Sequence, residues 1–358
     1  TDISKDNGLI ENGVYLSPES INKDYLLKTG DILLARSGSI GTSFYYDKEK
    51  HEKCSFAGYL VRFVTNNLND GKFLYYFTKS KSFYAQIELD SIQTTIENFN
   101  AQKYANMRIA VPEGTQTQIL IASFLDSKTF QLSKTIEAEK RLIGFLKEKR
   151  HALIGNIILD EKIPRIRLQH ITKNILRPIP EGEKESYTPL GLYNWARGIF
   201  HKSLTEEEEL GDSKFFFVKE GDLIISGQFA WEGAVSIAEQ TEEGCVISHR
   251  FHIINGMPNH INNEYLWALF TSDFGDFLLN QCSVGSAGRN RPLNINLLMK
   301  EKIPVPSLKV QERIKEIVQK EKEIKEKIKR LNILFEEYKK SLIHHVVTGK
   351  VDVRGAVA

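Results

Sequence analysis

Gly30-Asp31-Ile32-Leu33-Leu34 recurs 191 residues later as Gly221-Asp222-Leu223-Ile224-Ile225. A Gly-Asp turn followed by aliphatic residues reads as the start of a short buried strand. Outward from this pair the echo continues in order. Cys54 stands opposite Cys245 at the same offset, and Phe73-Leu74-Tyr75 opposite Tyr265-Leu266-Trp267 at 192. Val111-Pro112 then matches Val305-Pro306 at 194, and each Val-Pro is followed by a glutamine, Gln118 or Gln311. The ordered, near-constant offset marks an internal duplication, and such a repeat decides the architecture before any motif does.

Each copy reads as an α+β domain followed by a long helix. Asp31–Arg36 with Phe56–Val64, and Asp222–Ser226 with Val246–Ile254, are expected strands. Residues 71–85 and 263–279 carry aromatics and leucines at helical spacing. The domains expected are 1–114, a first α+β domain lacking about 25–30 opening residues that the second copy has; 115–156, a central helix; 157–306, the second domain; and 307–358, a C-terminal helix and tail.

Heptads run through both helical segments. Ile314, Glu321, Ile328, Phe335 and Leu342 fall at one core position, and Ile317, Ile324, Leu331, Tyr338 and His345 at the other. In the central helix Ala122, Thr129, Ile136, Ile143 and Arg150 alternate with Leu125, Leu132, Glu139, Leu146 and Leu153. A sustained 3.5-residue repeat points to a coiled-coil seam. Two helices of about 38 residues, each ~57 Å long, suit an antiparallel pair in a pseudo-twofold repeat. Separate amphipathic helices, each packed on its own domain, remain the other reading.

The 41% apolar content supports real cores, and roughly 150 residues per domain makes 358 residues about two domains or more. Net charge is +2 overall, but −5 over residues 157–306 and +5 over 307–358. The three cysteines form no CxxC pair, so neither a zinc cage nor a disulfide framework is supported. No apolar run approaches a membrane span, and a cytoplasmic setting is expected. Phosphate loops, dinucleotide fingerprints, zinc-protease motifs and nucleophile elbows are all missing, as is the Asp/Asn-Pro-Pro-aromatic tetrapeptide of adenine methyltransferases. His249-x-x-His252 and His344-His345 have no further ligands near them in sequence, and Asp160-Glu161-Lys162 fits a linker. No catalytic centre and no metal site are expected in this chain.

Polar loops are more telling. Arg36, Ser37 and Ser39 follow the first strand, and Ser226 and Gln228 follow its repeat. Gln93, Thr94, Thr95 and Asn98 stand before the end of the first domain, as Ser286, Arg289, Asn290 and Arg291 do in the second; His249 and Arg250 lie between. Arginine reads guanine and Asn or Gln reads adenine through paired hydrogen bonds in the major groove, while hydroxyls hold phosphates. Ordinary turn chemistry would account for the same residues.

Taken as an ordered set, these features resemble the specificity subunits of Type I restriction-modification systems. The resemblance rests on the two Gly-Asp-aliphatic strands, Ile109–Gln118 and Ile303–Gln311 before the helices, and the helix endings Lys149–Ile154 and Leu342–Val353. It implies a non-catalytic reader whose two domains meet the halves of a split, asymmetric site in double-stranded DNA. It also implies a helical ruler on which two methyltransferase subunits dock, with restriction subunits in the same complex. S-adenosylmethionine, ATP and Mg would then belong to those partner chains. A specificity module of another methyltransferase or defence system, a coiled-coil scaffold without DNA function, and a methyltransferase of unfamiliar motif are the alternatives.

Overall fold

The computed structural model describes Ile3 and residues 22–93, 98–180, 182, 185–210, 214–285 and 291–355. Its elements run β1 (Ile32–Ala35), β2 (Ser43–Tyr45), β3 (Leu60–Phe63), α1 (Gly71–Phe77), α2 (Lys81–Gln93), α3 (Ala101–Ala105) and α4 (Thr115–Leu159). Nine short strands come next: β4 (Arg165–Arg167), β5 (Thr172–Ile175), β6 (Ser186–Tyr187), β7 (Leu190–Tyr193), β8 (Gly198–His201), β9 (Thr205–Glu206), β10 (Phe215–Phe217), β11 (Leu223–Ser226) and β12 (Val235–Ile237). The chain closes with β13 (Val246–Ser248), β14 (Phe251–Gly256), α5 (Asn263–Phe270), α6 (Asp273–Cys282), α7 (Ile295–Lys300), β15 (Lys302–Pro304) and α8 (Leu308–Val347). Two compact units result: residues 1–138 with 328–358, and residues 139–327. Both long helices therefore contribute a part to each unit.

In the first unit, β1 is the centre of an antiparallel sheet ordered β2-β1-β3. All four of its residues are buried, as the aliphatic run after Gly-Asp requires. Gly30 has φ +98°, a left-handed turn that glycine enters without a Cβ penalty. The Asp31 carboxylate then accepts the Lys28 N–H at 2.8 Å and closes that turn. Phe73, Phe77, Phe83 and Tyr104 pack with Ile121 and Leu125 of α4 and Ile343 and Val346 of α8.

The second unit repeats this plan with more strands. β11 lies in the sheet β12-β11-β14-β5, every pairing antiparallel. Asp222 accepts the Lys219 N–H at 2.9 Å, and both its oxygens meet Arg177, at 2.6 and 2.9 Å. Tyr265, Leu269 and Phe270 bury against Ile154 and Ile157 of α4 and Ile314 and Val318 of α8.

Within each unit the helix segments run antiparallel, since rising numbers on α4 meet falling numbers on α8. Arg150 pairs with Glu321, and Glu139 with Lys327, in one unit. In the other, the start of α4 meets the end of α8. Leu125, Ile136, Ile314, Ile317, Ile324 and Ile328 are buried, while Leu132, Ile143, Leu146, Leu153, Leu331, Phe335 and Leu342 are half-buried. Tyr338 departs from its expected seam position: it is 50% exposed. Its neighbours Ile333 and Leu334 are exposed too. The driest helix positions include Ile154, Val318 and Val346, where a globular domain packs on the pair, so both readings of the helices hold in part.

The helical and strand stretches expected from the sequence are subdivided in the structure. The helical stretches 71–85 and 263–279 are each two helices, broken at Thr78–Ser80 and at Thr271-Ser272. There Thr78 and Ser272 turn their hydroxyls back onto the carbonyls of Tyr75 and Leu269, at 2.6 Å in both cases, which satisfies groups that would otherwise continue the helix. The expected strand 246–254 is likewise interrupted between β13 and β14.

Candidate nucleic-acid interface

At the end of each central strand one residue ties three loops together through its backbone. In the first unit it is Arg36. Its N–H donates to Tyr59 O at 3.2 Å, and its carbonyl accepts the Phe99 N–H at 2.8 Å. In the second it is Gly227, whose N–H donates to Arg250 O and whose carbonyl accepts the Leu293 N–H, both at 2.7 Å. The loop after the strand, the loop at 58–59 or 249–250, and the loop before α3 or α7 therefore converge on one point in both units. Apart from the loop at 58–59, these are loops in which the sequence placed candidate readers.

Arg36 is half-buried, its Nε donating to Asn98 Oδ1 and its Nη1 to Gly58 O, both at 3.4 Å. Ser37 is exposed and Ser39 half-buried, on a loop turned by Gly38 at φ +71°. Tyr104 holds the loop base from below. Its hydroxyl donates to Ala35 O at 2.6 Å and accepts the Gly41 N–H at 3.0 Å. Burial pushes this phenol up to about 12, so it stays protonated and the clasp persists at ordinary pH.

Gln228, His249 and Arg250 are exposed. The Arg291 guanidinium lies 5.5 Å from the centre of the Trp231 ring, a cation–π arrangement, and donates to Asn280 O at 3.4 Å. Trp231 is anchored through Nε1 to Gln228 O at 3.2 Å. Ser226 differs from its expected role: it is 3% exposed, and its Oγ accepts the Phe229 N–H at 3.1 Å, which shapes the turn inward. The Gln93 side chain, Thr94, Thr95, Ser286, Arg289 and Asn290 lie outside the described residues.

Two residue roles could not be read from the sequence. His252 stands behind Gly227, and burial lowers its pKa, so it sits there as a neutral ring. Gln118 and Gln311, noted only as landmarks, are almost fully buried clasps. The Gln118 Oε1 accepts the N–H of Asp70, the cap of α1, at 2.8 Å, and the Gln311 Oε1 accepts that of Asn262, the cap of α5, at 3.0 Å. Each also donates from Nε2 to the proline carbonyl that precedes its helix, Pro112 or Pro306. The Pro-to-Gln spacing thus pins each long helix to its recognition domain.

Among the described residues no group of three or more His, Cys, Asp or Glu side chains is placed to hold a metal ion. No described helix is long and apolar enough to cross a membrane.

A duplicated α+β reader on two shared helices is the class these observations define. The model of the Type I restriction modification DNA specificity domain matches residues 5–144 and again 172–333. The chain belongs to that family. It is a DNA-recognition subunit of the Type I restriction-modification kind. Among solved structures, the HsdS subunit from Thermoanaerobacter tengcongensis is 13% identical, with 93% of this chain and 85% of that one covered at a TM-score of 0.50. A chain from work on complex assembly and conformational transition of the type I R-M system is 14% identical over 91% and 83%, at a TM-score of 0.53.

Proposed function

We propose that the two units read the two halves of a bipartite, asymmetric DNA target, each through the loops gathered at its strand-end residue. The observation that carries this reading is the repeated backbone junction at Arg36 and Gly227. The hydrogen bonds are the same and the outward side chains are not: Arg36, Ser37 and Asn98 in one unit, Gln228, Arg250 and Arg291 in the other. A common frame bearing unlike readers recognises unlike sequences.

The chain itself acts without catalysis. Methylation and cleavage reside in methyltransferase and restriction subunits that dock on the long helices, and S-adenosylmethionine, ATP and Mg serve those partners. Exposed apolar side chains on the helices favour such docking. They include Phe130 and Leu334 in the first unit and Leu142 and Phe145 in the second. In the first unit an open cleft of 470 Å³, lined by Tyr76, Asp126, Phe130, Phe335 and Lys339 among others, adds shape to that surface.

Exchanging residues 157–306 for the matching domain of a relative tests the proposal. Methylation mapping of the hybrid complex across a genome should show one half of the target changed, with the other half and the gap between them intact. A change in both halves, or in the gap alone, defeats modular reading.

A further inference from the structure

Beside the strand-end loops of the second unit stands a hairpin that the reading above does not use. Strands β7 and β8 pair so that Tyr193 faces Gly198, leaving the turn Asn194-Trp195-Ala196-Arg197. Trp195 has φ 56° and Ala196 φ 50°, left-handed conformations that residues with a Cβ seldom adopt. Such backbone persists only where surrounding structure over-determines it, and it concentrates at functional sites.

Here the surrounding structure is the segment that carries Gln228. The Trp195 N–H donates to Glu232 O and the Ala196 N–H to Gly233 O, both at 2.8 Å. The Asn194 amide donates to the Glu232 carboxylate, so that acid is engaged beneath the turn. Residues 229–233 are themselves folded back by Phe229 N–H to Ser226 Oγ and Gly233 N–H to Ala230 O. The hairpin tip is therefore bolted to the loop that leaves β11.

All this fixation leaves the side chains in solvent. Trp195 is 74% exposed and Tyr193 44%, while the Arg197 guanidinium lies 5.3 Å from the Tyr193 ring centre and 5.6 Å from that of Trp195. A core residue would be covered, and a casual surface tryptophan would not be held in a costly turn. Two rings bracketing an arginine present flat apolar faces and positive charge together. Sugars, phosphates and base-pair steps accept that combination.

We propose that the Tyr193–Arg197 turn is a second DNA-contacting element of this unit, with Trp195 packing against or wedging into the duplex next to the bases met by the Gln228 and Arg291 loops. The proposal rests on the reading that those loops face DNA. It commits to double-stranded DNA because the turn is anchored on the same segment as Gln228, beside the Arg291–Trp231 pair, and brings a cation of its own.

The test uses the full chain assembled with its methyltransferase subunits. The probes are a labelled duplex bearing the motif the complex methylates in its host genome, and a scrambled duplex of equal composition. Trp195→Gly removes the ring and relieves the left-handed strain, so the turn keeps its fold. It should weaken binding of the motif duplex roughly tenfold, with Trp195→Phe recovering most of the loss and assembly unchanged on size exclusion. 2-Aminopurine placed along the half-site should brighten on binding the wild type and less with Trp195→Gly where the ring wedges, or in neither where it packs on sugars. Arg291→Ala separates the two claims. If Arg291→Ala weakens binding and Trp195→Gly does not, the turn is no DNA element and the loop reading survives. If neither variant weakens binding, the loop reading itself falls. If Trp195→Gly prevents assembly, the turn is a protein-docking element and the proposal is overturned.

Discussion

The two units solve the same packing problem, a domain seated on a helix pair, with different chemistry. An offset of 193 sets Arg150 against Ile343 and Glu321 against Lys128. In the first unit Ile343 is simply buried among apolar side chains, and the charged contact, Lys72 and Tyr76 on Asp126, stays half-buried at the margin. In the second, Arg150 Nε donates to Glu321 at 2.9 Å with both side chains almost fully enclosed. Arg150 also donates to Thr271 Oγ1 at 3.1 Å and lies 4.8 Å from the Trp267 ring centre. An apolar seat tolerates sliding, whereas a buried ion pair tolerates only the register that satisfies it. Dry ion pairs add little net stability, because desolvation offsets the attraction, but removal of one partner strands the other charge. The second unit thus has its helix register written in electrostatics where the first has it in shape.

That contrast is open to direct attack. Arg150→Met removes the hydrogen-bonded partner of the enclosed Glu321 carboxylate and should cost about 3–5 kcal/mol. The double variant Arg150→Met/Glu321→Leu should recover most of this. All three tryptophans, Trp195, Trp231 and Trp267, lie in the second unit, so urea unfolding followed by tryptophan emission reads that unit selectively. A single variant as stable as the wild type would mean the pair is not dry. Ile343→Val, its counterpart, should cost only about 0.5–1.5 kcal/mol, read by hydrogen exchange in the first unit.

The glutamine clasps should behave alike in both units. Gln118→Leu and Gln311→Leu each orphan the N–H of a helix cap and a proline carbonyl, at roughly 1–3 kcal/mol. Unequal losses, measured by hydrogen exchange at α1 and α5, would show that the two clasps are not the same device.

The strand-end junctions should not behave alike. A Cβ on Gly227 would meet Arg250 O at 2.6 Å, a backbone atom that cannot step aside. Gly227→Ala should therefore cost roughly 1–3 kcal/mol and disturb recognition of one half-site. Arg36 already carries a side chain at the matching place, so Arg36→Ala should leave folding intact and change only DNA discrimination at the other half-site, read by competition between single-base variants of the target.

The smallest effect concerns acid. Burial holds the folded-state pKa of His252 below its ordinary value, so between the two values the unfolded chain binds more protons than the folded one. Its contribution to stability is whole above the ordinary histidine pKa and is lost as pH falls toward the lowered one. Val61 stands at the matching place in the first unit. His252→Gln should flatten the tryptophan-detected stability profile on the acid side of neutrality, and an unchanged slope would remove His252 from the account.

The duplication, the buried Gly-Asp strands, the long helices and the polar loops bearing the candidate readers were all legible in the chain, because repeats, apolar runs and heptads are one-dimensional properties of side chains. Family membership followed from their order. The roles of Gln118 and Gln311 were visible only as a spacing, since a buried amide gives no sign of which backbone groups it will meet. Ser226 read as a polar loop residue and proved to be an inward cap, because hydroxyls serve both ends equally well. Only the tertiary structure decided the junctions at Arg36 and Gly227, the exposure of Tyr338, the pairing of Arg150 with Glu321 across 171 positions, and the held turn at Trp195. The reason is physical. Backbone hydrogen bonds carry no residue identity, and whether a heptad position is dry depends on what covers it from elsewhere in the chain.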